Sequence, residues 1–193
     1  MRKIHSESYS TCSLIAAILF VALCGCQEIS ITQPQKAVSF YLLYKSDTIR
    51  FTFTTDSSLN ESPGPIQWGY MKTFEFKNQN TELFFGFHKN EGRSISRYPD
   101  SLLVNDLKDR LTTTPKQGKL SDIRRIANNR IYGFWGEFEK EDERVAYFEG
   151  EAVSVRRVPL FIEIVVYQKK TGQPLPDILG DVLKTLQIQV SDQ

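Results

Sequence analysis

His88 and a short run of carboxylates are the groups of this sequence best placed for acid–base chemistry. His88 stands in FFGFHKNEG, at the end of a strand-like stretch and just before a turn. Gly136 to Glu143 read GEFEKEDE, and on a strand Glu137 and Glu139 share one face roughly 7 Å apart. At that spacing two carboxyl groups can divide the acid and base roles of a hydrolase. The same run also leads into a strand-to-strand turn, where solvated charge is expected and blunts a sheet edge. A serine triad built on His88 lacks a Gly-x-Ser-x-Gly elbow to supply the nucleophile. A strand-end histidine is ordinarily hydrogen-bonded or solvated. A hydrolase using Glu137, Glu139 or His88 is therefore the alternative reading, and no catalytic residue is assigned.

Metal and cofactor chemistry finds little support. The three cysteines, Cys12, Cys24 and Cys26, crowd the first residues, and only His5 and His88 are histidines. Zinc sites draw on three or four Cys, His or carboxylate ligands, and no Asp-x-Asp-x-Asp-Gly calcium loop occurs. No metal or cofactor is expected.

Aromatic side chains offer a different chemistry, that of contact. Trp68 and Tyr70 adjoin the loop TDSSLNESPGP, and Trp135 lies between Gly133 and Gly136. Trp and Tyr are enriched at the energetic centres of interfaces. Trp68, Tyr70 and Trp135 are thus the candidate partner-binding residues. For Trp135 the competing reading is core, since Tyr132, Phe134 and Phe138 fall on the other face of its strand.

Charge excludes one class of partner. The chain carries 24 Lys and Arg against 23 Asp and Glu, and without Arg2, Lys3 and Glu7 the two signs balance. Nucleic-acid binding calls for a basic stripe, which a neutral chain with scattered Arg pairs does not supply.

The first residues explain where the cysteines belong. Arg2 and Lys3 precede the apolar run Leu14 to Leu23 (LIAAILFVAL), which is too short to span a bilayer but suits a secretory signal peptide. Leu23-Cys24-Gly25-Cys26 resembles the lipobox of bacterial lipoproteins. That resemblance implies cleavage between Gly25 and Cys26 and acylation of Cys26, for instance with palmitate. Two or more acyl chains hold a protein stably on a membrane where one does not. Gln27 is not the aspartate that retains such proteins in the inner membrane, so the resemblance implies an outer-membrane anchor facing the periplasm.

Residues 1–25 thus read as signal peptide, 26–36 as a lipid-anchored tether and 37–193 as a single domain. Strands are expected at Ala37–Tyr44, Thr48–Thr54, Tyr70–Lys77, Glu82–Lys89, Arg130–Lys140, Arg144–Val155 and Val158–Lys169, with a weaker one near Ser121–Ala127. Leu103, Leu107 and Leu111 predict a helix over Pro99–Leu111, and Leu175 to Leu186 repeat at the helical period. Ile188 and Val190 suit a last strand. In Val158–Lys169 an aliphatic face alternates with a mixed one, which predicts a sheet covered mainly on one side.

Runs of strands punctuated by single helices predict an α+β fold, an antiparallel sheet packed by helices. The element order and the closing ILGDVLKTLQI are similar to the α/β/α sandwich of PsbP-like proteins. That similarity implies an accessory or binding role. The expected function is a lipid-anchored, non-catalytic binding or accessory module for an envelope protein complex. The alternatives are a periplasmic carrier of a small apolar ligand and the hydrolase above.

Overall fold

The computed structural model describes residues 34–44, 47–63, 69–89, 99–112, 119–153 and 160–191. Gly25, Cys26 and Trp68 lie outside the described residues.

Strands β1 (Gln35–Tyr44) and β2 (Asp47–Asp56) form where large apolar side chains recur at every second residue, the period of a pleated strand. They pair antiparallel along their full length, with Gln35 opposite Asp56 and Tyr44 opposite Asp47. That period sends Phe40, Leu42 and Tyr44 of β1 to the buried face together with Ile49, Phe51 and Phe53 of β2. The last strand of the chain, β11 (Gln187–Ser191), joins the other side of β2 and completes a three-stranded sheet.

The other strands form one eight-stranded antiparallel sheet. They are β3 (Asn60–Ser62), β4 (Lys72–Lys77), β5 (Thr81–Lys89), β6 (Lys119–Leu120), β7 (Arg124–Ala127), β8 (Ile131–Glu139), β9 (Glu143–Ala152) and β10 (Leu160–Lys169). Their spatial order is β3-β4-β5-β10-β9-β8-β6, with β7 also on β8. The aliphatic face of β10, Leu160, Ile162, Ile164 and Val166, is buried throughout.

The two sheets meet through stacked phenylalanines. Phe40 lies against Phe74 with ring centroids 4.0 Å apart, Phe53 against Phe85 at 4.9 Å, and Phe51 against Phe87 at 5.0 Å. Aromatic pairs in these offset and tilted geometries add to the gain from burial alone.

Helix α2 (Ile178–Thr185) completes the same core, burying Ile178, Leu179, Val182 and Leu183. Its first turn is capped by Asp177, whose Oδ1 accepts from the Gly180 amide at 3.0 Å. Pro176 precedes this cap, so the helix begins later than its apolar repeat suggests. Helix α1 (Asp100–Thr112) lies on the opposite face of the large sheet, where Leu107 packs on Phe134 and Phe138 of β8.

This architecture corrects the α+β expectation. The described residues form a β-rich fold of two antiparallel sheets with two short helices, not an α+β or PsbP-like α/β/α sandwich with helical layers. The physical reason lies in β1 and β2. Their inward phenylalanines match those of β4 and β5, so a second sheet takes most of the layer assigned to helices. The mixed face of β10 is covered in part: Tyr167 and Lys169 are exposed, whereas Glu163 and Val165 are buried, together with Phe84 and Glu75 of the neighbouring strands.

Candidate functional site

Tyr70 and His88 stand far from Glu163 in sequence, yet the sheet brings the three together. On the face of the large sheet away from the aromatic seam, β5 and β10 pair with Gly86 opposite Glu163 and His88 opposite Phe161. Gly86 has no side chain, and the ring of Tyr70 occupies the space where a Cβ would stand. From there the Tyr70 hydroxyl donates to Oε2 of Glu163. The His88 ring lies 4.2 Å from the Tyr70 ring, and its Nδ1 is 3.0 Å from the carbonyl oxygen of Gly69. Its Nε2 is 3.2 Å from Oε1 of Glu163, an ion-pair separation without hydrogen-bond alignment.

Glu163 is 1 % exposed, and a buried carboxylate is costly unless paired and hydrogen-bonded. Its neighbour across the sheet, Glu149 of β9, is also buried. Opposed like charges add to that cost, so the Tyr70 donor and the His88 ring offset it on the β5 side. The arrangement pins the backbone at Gly69 and Tyr70 to the sheet. Tyr70 is half-buried and engaged here, which is the reverse of an open contact aromatic.

Trp135 points to the seam side of β8, half-buried against the main core, and the Arg124 guanidinium lies 5.0 Å above its ring. The glycine gap beside it is filled. Gly133 and Gly150 face each other on β8 and β9, and the Phe148 ring lies against both. The opposing strand thus supplies the ring that occupies the gap Gly133 leaves beside Trp135. Phe134 and Phe138, on the other face, are covered by α1.

The carboxylates sit at the far end of β8. Glu137 receives two bonds from Arg144 of β9, from Nη2 at 2.6 Å and from Nε at 3.2 Å. This fork geometry fixes the carboxylate. Glu139 is exposed, 3.7 Å from the Lys170 ammonium. Neither carboxylate is near the His88 cluster in the sheet, since β9 and β10 intervene. Among the described residues no group of three or more His, Cys, Asp or Glu is placed to hold a metal ion.

Two features escaped the sequence reading. Glu163 was legible only as a lone carboxylate in the aliphatic run LFIEIVV. Tyr41 and Leu43 of β1 are 58 % and 72 % exposed, on the outer face of the small sheet. Five successive large apolar residues, Phe40 to Tyr44, were the available clue. In a strand such a run must place apolar groups on both faces. The sequence matches no family model and no curated protein.

Proposed function

We propose that this protein is a lipid-anchored module of the bacterial envelope, held at the periplasmic face of the outer membrane through acylated Cys26. There it binds a protein partner and performs no bond-breaking chemistry. The anchor half of the reading rests on Leu23-Cys24-Gly25-Cys26 and the apolar run before it. The binding half is carried by one observation: the side chains a hydrolase would recruit are engaged as structural links. Glu137 is forked by Arg144, Glu139 faces Lys170, and His88 faces Glu163 and the Gly69 carbonyl. The seam between the sheets is filled by phenylalanine rings, which does not favour a carrier of an apolar ligand.

Two measurements test the halves separately. Cells fed a labelled fatty acid should mark the wild-type protein and leave Cys26→Ala unmarked. Mild crosslinking of intact envelopes should recover the same partner with wild-type, Glu137→Gln and Glu139→Gln protein, and fail with folded Trp68→Ala. If Trp68→Ala keeps every partner while Glu137→Gln or Glu139→Gln abolishes function, the hydrolase reading replaces this one.

A further inference from the structure

Every open sheet ends in strands whose outward N–H and C=O groups lack partners, and most proteins blunt such edges. The large sheet does so here. β3 and β6 have only three and two residues, and β7 carries Arg124 and Arg125. β11, at one side of the small sheet, has five residues. β1 is different. It has ten residues, its only charge is Lys36, and no described strand lies on its outer side.

The register shows which groups β1 offers. Thr54 of β2 stands opposite Ala37, and its amide donates instead to Oγ1 of Thr185, on the side away from β1. Ala37 and Thr54 are therefore a pair without mutual hydrogen bonds, and alternation fixes the rest. Gln35, Ala37, Ser39, Tyr41 and Leu43 direct their backbone groups to the open edge. Their side chains lie on the solvent face of the small sheet, where Tyr41 and Leu43 are the exposed apolar groups.

We propose that β1 pairs antiparallel with β1 of a second copy, joining the two small sheets into a continuous six-stranded sheet across a two-fold axis. With Phe40 at the axis, Lys36 comes opposite Tyr44, Ala37 opposite Leu43 and Ser39 opposite Tyr41. The outward groups then meet their own kind, as an antiparallel ladder requires. The small side chains of Ala37 and Ser39 leave room for Leu43 and Tyr41. Charge favours this orientation: the two Lys36 ammoniums go to opposite ends, whereas parallel pairing would set them side by side. The chain before the domain favours a second copy over a foreign strand. The stretch between Cys26 and Gln35 spans at most roughly 30 Å when extended. Anchored copies on one membrane thus keep their β1 edges within about that distance of the same surface, where isologous pairing is the simplest closed assembly. The proposal goes beyond the binding role argued above, and only the tether-length argument borrows the lipid anchor.

The test uses the full chain in bacterial membranes. Ser39→Cys combined with Tyr41→Cys should oxidise to a disulfide-linked species of twice the monomer mass. The pair Gln187→Cys and Gln189→Cys on β11 should not. Adding Leu43→Lys, or Ala37→Pro, which removes an outward N–H without touching the β1–β2 ladder, should reduce the crosslinked fraction at least tenfold. Using two such variants guards against one that fails to fold. A crosslinked fraction no greater than the β11 control overturns the proposal. So does a crosslinked product containing a different protein. Fatty-acid labelling of the same cells reads the anchor independently, so failure of one reading is distinguishable from failure of the other.

Discussion

Nε2 of His88 lies 3.2 Å from Oε1 of Glu163, and the Tyr70 hydroxyl closes on the other oxygen of the same carboxylate. A histidine near the surface and a tyrosine from a preceding loop thus stabilise one buried acid. Removing the tyrosine donor leaves an acceptor short of a partner where water is scarce. Tyr70→Phe should lower unfolding free energy by about 1–3 kcal/mol in urea titrations. A change indistinguishable from zero would mean that the hydroxyl does not support Glu163.

Gly86 tests the same cluster from the other side. A methyl group at this position collides with the Tyr70 ring. Gly86→Ala should therefore eject the ring and cost about 1–3 kcal/mol, as overpacking does. The near-UV circular dichroism of Tyr70 should change with it. Retained stability with an unchanged aromatic spectrum would show that the ring is not seated there.

Leu183 of α2 is 4 % exposed, in the core that also holds Leu179, Val182 and the aliphatic face of β10. Leu183→Ala should cost about 2–5 kcal/mol. A near-zero loss in thermal or urea unfolding would separate the helix from that core.

Alkaline pH should loosen the contact between α1 and β8. Burial first, and then the hydrogen bond Tyr132 donates to Asp100 at 2.9 Å, raise the phenol above its ordinary range. A raised folded-state value gives stability that is complete below about pH 10, the unfolded value, and lost as pH rises through the folded one. Unfolding midpoints of the wild type should fall above that pH, and Tyr132→Phe should flatten the fall. Equal slopes would remove Tyr132 from the account.

Much of the chain's local structure was legible. Alternation in LFIEIVVYQK marks β10, and the spacing of Ile178, Leu179, Val182 and Leu183 marks α2. The partition of strands into two sheets was not legible, because alternation tells that Phe40 and Phe51 face a core and not which sheet supplies it. The Glu163 cluster was hidden for a related reason. Tyr70 and Glu163 are 93 positions apart, and no local pattern encodes a contact made by strand order. Tyr70 read as an exposed aromatic because a proline-glycine loop precedes it, yet the absence of a side chain at Gly86 draws it onto the sheet.

The position of β10 between β5 and β9 has a consequence for how the chain acquires its structure. Leu160–Lys169 pairs on one side with Thr81–Lys89, synthesised long before it, and β11 reaches back to β2. A polypeptide delivered amino end first thus presents β1 to β5 and their phenylalanines while the strands that complete both sheets are still missing. Non-local pairing of this kind folds slowly, and half-built sheets with open edges associate wrongly. Loss of the stretch from β10 to β11 would therefore leave both sheets incomplete at once.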